Sequence, residues 1–403
     1  VNIRSLTGFL ALGDPLAESD LRALRGLVQA ARADFARAGY PIQTARVATQ
    51  TLAEIAPRDM TQFARDLQAA CRANGIDYAA LGALRGDHAL MEALPAALGA
   101  TETVFAAAHI ASRADGIHLP AISAAARVMR ALADSTPDGF GNLRFAALAN
   151  CPPHSPFFPA AYHQGTAPAF ALATEAAPLA VDAFDRANNL TEARANLVSA
   201  IERAGETLAR IANDLAARFA LRFAGIDFSL APFPEASRSI GAAMEKLTGA
   251  PFGERGTLFA AAFITDCLNR ANFARVGFSG LMLPVLEDAT LAARSMQYTL
   301  DSLLLYATVC GTGLDTIPLP GDTPTDALAA ILLDLATLAV KLDKPLTGRL
   351  MPIPGLRAGD MTQFDFEYFA NARVLETRSS RPLRVLEDRQ VEFKRHKTQL
   401  LTD

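Results

Sequence analysis

The chain has 403 residues, 51 % apolar and 20 % charged, which suffices for a large buried core in one big domain or two medium ones. Its formal net charge is −4 and no long basic block precedes the C-terminal stretch, so the basic footprint of a nucleic-acid binder is missing. No uninterrupted apolar run reaches membrane-spanning length, because Asp, Arg, Gln or Pro breaks each candidate.

In chain order, 3–10 reads as a strand and 21–39 as a helix with Gly39 at its C-cap. Strand 45–49, helix 60–74, and strands 78–83 and 104–110 follow. Helix 121–132 leads to strands 143–148 and 169–173, then to the long helical stretch 190–219. Strand 224–228, helices 239–247 and 257–269, strand 281–285, helix 325–342 and strand 348–352 complete the series. Most of the strands are continuous apolar runs, as expected when both faces are covered. Strands separated by helices predict an α/β fold with a largely parallel sheet, open or closed. No Pro/Gly/Ser-rich linker divides the chain. From Glu376 the composition turns charged and glycine-free, which predicts a surface helix or packing arm over 376–403.

Cys71, Cys151, Cys267 and Cys310 form no CxxC pair, so neither a disulfide framework nor a structural zinc site is expected. The opening VNIRSLTGFLALGDP has no basic region followed by an apolar stretch and cleavage site. Together these features predict a cytoplasmic protein.

Polar and conformationally special residues gather after strand-like runs, where open α/β sheets and α/β barrels place ligands. In NCPPHSPFFPAAYHQG, His154 and His163 are candidate proton carriers in a proline-stiffened loop; the same histidines could equally complete hydrogen bonds. In GIDFSLAPFPE, Asp227 and Ser229 share one side of a strand by their two-residue spacing. In GFSGLMLPVLED, Glu287 and Asp288 are candidates for metal binding or proton transfer, or for capping a helix. In VCGTGLDTIPLPGD, Cys310 is a candidate nucleophile or a packing residue, while Thr312, Asp315 and Asp322 are candidate ligand contacts. Arg349 is a natural carboxylate or phosphate partner inside an apolar strand, or one half of a buried ion pair. No HExxH, GxSxG, GxGxxG, Walker or EF-hand pattern occurs.

These segments, with KPLTGRLMPIPG and AGDMTQFDFEYF, resemble the signature segments of domain-of-unknown-function family 711, also called uncharacterised protein family 0210. The resemblance runs to about residue 375. It implies a single large α/β barrel over 1–375, of the pyruvate formate-lyase-like type, with 376–403 as a charged tail. Cys310 would correspond to the central-loop cysteine of glycyl radical enzymes. The sequence contains no glycine after Gly359, so a C-terminal radical glycine has no candidate and glycyl-radical chemistry is not expected. The resemblance also implies an ACT-domain protein as partner. An enzyme is expected, acting on a small polar metabolite at the barrel mouth by non-radical acid/base or metal-assisted chemistry; the cofactor is open, a divalent metal being one option. Its alternatives are a small-molecule sensor working with the ACT-domain partner, or a structural scaffold. A homo-oligomer is expected, without nucleic acid or membrane as partner.

Overall fold

The computed structural model describes residues 1–403 apart from Glu18, Asp87, 379–381 and 394–403. Its strands are β1 (Asn2–Leu10), β2 (Ile42–Thr51), β3 (Tyr78–Arg85), β4 (Val104–Ser112), β5 (Gly116–His118), β6 (Phe145–Ala149), β7 (Ala169–Glu175), β8 (Arg222–Asp227), β9 (Gly313–Pro320), β10 (Leu346–Ile353) and β11 (Gln390–Val391). They form one sheet in the order β8-β7-β1-β2-β3-β4-β6-β10-β9, with β5 on β4 and β11 on β5.

The sheet is largely parallel along this path, with two antiparallel joints. Parallel pairing holds along β1-β2-β3-β4-β6, between β7 and β8, and between β9 and β10. The joints β1/β7 and β6/β10 are antiparallel. No crossover helix separates β6 from β7, and without one the chain returns in the opposite direction. One end of the sheet therefore gathers the N-termini of β1–β4 and β6 with the C-termini of β7–β10.

Two assignments from the sequence are corrected. Segment 281–285 is not a ladder strand; it makes a single parallel bridge, Pro284 to Asp315, since proline has no N–H to extend one. Segment 313–320, absent from the strands expected above, is β9, which begins at Gly313 in the left-handed region (φ 95°) and holds prolines tolerated at the end of the strand path. Segment 274–286 is bonded to both end strands of that path. Ile226 N donates to Ala274 O (2.6 Å) and Val276 N to Ile226 O (3.1 Å), while Val285 N donates to Asp315 O (3.1 Å).

One face of the sheet packs on the helices, in a continuous core that includes Leu24, Phe35, Phe63, Leu132, Leu208 and Leu332. The amphipathic pattern explains this: in Leu190–Phe219 the buried positions Leu197, Ile201, Leu208, Ile211 and Leu215 recur at helical spacing. Asn189 caps that helix by accepting from Glu192 N (3.0 Å). The other face is small, carrying Ala48, Ala80, Ala107, Ala146, Ala169, Ala171 and Ala173. Against these alanines lie Phe157, Phe158 and Tyr162 of the loop after β6, and Phe278 and Met282 of the 274–286 segment. Both faces are thus covered, as the continuous apolar strands require. Of the charged tail, β11 packs onto β5, and 394–403 lies outside the described residues. Among the described residues no helix is long and apolar enough to cross a membrane.

Candidate functional site

Between the first halves of β1–β4, the segment after β8 and the first halves of β9 and β10, the structure holds a cavity of about 100 Å³ that opens to solvent. Its floor is apolar, with Phe105, Ala146, Phe157, Phe158, Phe278 and Met282. Its walls carry Arg4, Arg46, Tyr78, Glu287, Asp315, Arg349 and Tyr368.

Backbone irregularities aim two of these charges. Arg4 sits at the register shift between Ile3 and Ser5 in the β1/β7 pairing. Arg349 sits at the shift between Gly348 and Leu350 in β10/β9, opposite Asp315 and Thr316. Bulges of this kind redirect side chains out of the regular alternation.

The result is a chain of ion pairs. Arg349 Nε meets Asp315 Oδ1 at 2.6 Å and its second nitrogen meets Glu287 Oε1 at 2.7 Å. The other Glu287 oxygen receives Arg4 at 2.9 Å, and Arg4 also reaches Glu175 Oε2 at 3.4 Å. Glu175 in turn accepts from Arg238 Nε (2.9 Å) and from Gln43 Nε2 (2.6 Å). The network members are largely buried, Arg349 at 8 %, Glu287 at 12 % and Asp315 at 14 % side-chain exposure. Arg349 stays firmly charged: burial opposes this, but the adjacent Asp315 and Glu287 outweigh it.

Arg46 differs. Its Nε donates to Thr44 Oγ1 (2.9 Å), and its guanidinium lies by the Tyr78 and Phe158 rings, 5.6 and 5.1 Å from their centroids. Burial, reinforced by Arg4, pulls its pKa down to about 10. Among the described residues no carboxylate forms an ion pair with it.

Glu287, Asp315, Arg349 and Thr312, singled out from sequence, therefore come together on this cavity. The others do not. Asp288 is buried and caps two helices at once, accepting from Ile240 N (2.7 Å) and Gly241 N (3.3 Å) of one, and from Thr290 N (2.9 Å) and Leu291 N (3.0 Å) of the other. Ser239 Oγ adds a fifth bond at 2.6 Å. Asp227 anchors the inserted segment, accepting from Phe278 N (2.7 Å), Ser279 N (2.8 Å) and the hydroxyl of Ser229 (2.7 Å). Burial pushes its carboxyl up to about 6, against the pull of those donors. Cys310 is buried, and Lys344 holds its carbonyl together with those of Ala307 (2.9 Å) and Thr308 (3.1 Å). Asp322 is exposed beyond β9, away from the cavity lining.

His154 and His163 lie at the opposite end of the strands, where His163 N donates to Thr49 O (2.8 Å) near the C-terminus of β2. His154 Nε2 and His163 Nδ1 are 3.1 Å apart, and Arg222 stands 3.4 Å from His154 Nδ1. Burial, then Arg222, depress both rings, His154 to about 4. His163 Nε2 is buried without a partner. Among the described residues no three His, Cys, Asp or Glu side chains converge as a metal site.

Sequence reasoning missed Arg4, Arg46, Glu175, Arg238, Tyr78 and Tyr368. The signal was present for two of them: Arg4 and Arg46 interrupt the apolar strands IRSLTGFL and ARVAT as Arg349 interrupts GRLMP.

Fold and site together define an α/β protein with a mixed sheet and a charged cavity between its strand ends. The family model described as Uncharacterised ACR (DUF711) matches residues 1–371, and the chain belongs to that family. A UPF0210 protein of Pyrobaculum islandicum is 33 % identical over 379 residues, covering 87 % of this chain and 83 % of the relative. One of Neisseria meningitidis serogroup B is 30 % identical over 365 residues, covering 84 % and 80 %. A third, of Clostridium beijerinckii, is 30 % identical over 364 residues with the same coverage of 84 % and 80 %.

Proposed function

We propose that the cavity holds a small polar metabolite and that recognising it is the function of this protein. The observation that carries the reading is the ion-pair chain from Asp315 through Arg349, Glu287 and Arg4 to Glu175, which fixes polar walls around an apolar floor before any ligand arrives. Recognition without turnover is favoured because both carboxylates on the cavity are tied to arginines, and the histidines and Cys310 stand elsewhere. As a sensor, the protein would pass the state of the cavity to a partner such as an ACT-domain protein. We place it in the cytoplasm, as a homo-oligomer.

An enzyme using non-radical acid/base chemistry is the second reading. It is favoured by Tyr368 and Tyr78, which line the cavity beside guanidiniums, Arg4 lying 4.7 Å from the Tyr368 ring centroid. In either case we propose that the sheet is a closed barrel of the pyruvate formate-lyase-like type. Support comes from segment 274–286, bonded to both β8 and β9, and from the two loops packed inside.

Thermal shift against a metabolite library tests the reading. A ligand at one hundred times its Kd adds about 2.7 kcal/mol, or about 3 °C for a chain of this size. The shift should vanish in Ala231→Phe, which fills the cavity, and persist in His154→Ala. The reverse pattern would move the site to the histidine end. Turnover of a bound compound, lost in Tyr368→Phe while binding remains, would select the enzyme reading.

A further inference from the structure

We infer that the cavity's ligand carries a single carboxylate on a flat apolar body, and that Arg46 receives that carboxylate; this deepens the cavity reading above and rests on it. The charges of the site set the argument. Arg4, Arg238 and Arg349 face Glu175, Glu287 and Asp315, three cations against three anions, all joined by ion pairs. Glu235, half-exposed at the rim, also approaches Arg238 at 3.5 Å. Among the described residues Arg46 is the arginine of the cavity wall that joins no ion pair. Arg46 is partly buried on the cavity wall, and a guanidinium drawn this far from water without a counter-charge is a ready partner for an anion.

Its geometry narrows the ligand. Thr44 Oγ1 occupies Nε and is itself fixed by donating to Arg4 O (2.8 Å). The two terminal nitrogens are left to the cavity, and their end-on fork matches the two oxygens of a carboxylate. One unpaired cation suits one negative charge; a dianion would need a second, and Arg4 and Arg349 are both committed. Around the fork stand Tyr78 and Phe158, then Phe157 and Phe278. Such a lining favours a planar apolar body over a sugar or a polyamine.

The test uses benzoate, phenylacetate and 3-phenylpropionate, each beside its primary amide, titrated calorimetrically into the full-length protein. At least one acid is expected to bind at least tenfold more tightly than its amide, and Arg46→Gln should bring that acid down to the amide's level. In the ligand-free state Arg46→Met should melt at or above the wild-type temperature, because an uncompensated charge has been removed; a lower Tm would assign Arg46 a structural role and overturn the inference. Equal binding of acid and amide, or none by any acid, would overturn it as well. Amides that bind and are lost in Ala231→Phe would leave the cavity reading standing while the carboxylate assignment falls. Acids whose binding survives Ala231→Phe but fails in His154→Ala would defeat the cavity reading itself.

Discussion

Replacing Arg349 with methionine tests the ion-pair chain at a buried link. Methionine fills much of the same volume but cannot pair, so Asp315 loses its one ion-pair partner among the described residues while Glu287 keeps Arg4. Breaking a buried pair from one side costs about 3–5 kcal/mol, most of it from the charge left behind. With an unfolding entropy of about 2 cal/mol/K per residue, a chain of this size should melt about 4–6 °C lower. Adding Asp315→Asn removes the stranded charge, so the double variant should recover about half of that loss, a coupling that independent sites do not show. Differential scanning fluorimetry at neutral pH suffices. The reasoning fails if Arg349→Met melts within 1 °C of wild type, or if the two losses simply add.

Other consequences concern the residues that shape the site without lining it. Asp288→Ala strips five donors of their acceptor and uncaps two helices, so it should cost about 3 kcal/mol or more while leaving the affinity of any cavity ligand unchanged; a loss of binding without a loss of Tm would restore a direct role for it. Gly280→Ala should destabilise by about 1–3 kcal/mol, because a Cβ there would lie 2.5 Å from Gly311 Cα, where only backbone could give way; urea titration reads it. His109 is held down to about 3 by burial and by Arg85, so it contributes stability that is complete above its unfolded pKa of about 6.5 and is lost as pH falls toward 3. His109→Phe should therefore flatten the fall in Tm between pH 6.5 and 4, and an unchanged slope would contradict the assignment.

Much of the fold was legible because its elements carry strong periodicity. Helices Leu190–Phe219 and Thr325–Leu342 fall where the pattern puts them. β9 was not legible: its glycine and two prolines kept it out of the expected strands, and only the pairing with Thr347–Ile353 of β10 makes it one. The site was half legible for a related reason. Clusters of acids, glycine and proline drew attention to Glu287, Asp315 and Thr312, which lie on the side of the cavity built by β9, β10 and the 274–286 segment. Arg4 and Arg46 stand singly inside the apolar first halves of β1 and β2, away from any such cluster, and escaped that reading. Asp227 and Asp288 show the converse: acids just past strands can be consumed by backbone N–H groups and hold the walls of a site instead of entering it.

The most direct test of the account is a crystal structure of the protein with whichever compound stabilises it most in the thermal-shift screen. The account predicts density in the cavity between the β1–β4 N-termini and the Phe157–Phe278 floor, with an oxygen within hydrogen-bond distance of a terminal nitrogen of Arg46. Density beside His154 and His163, with the cavity unchanged, would contradict it.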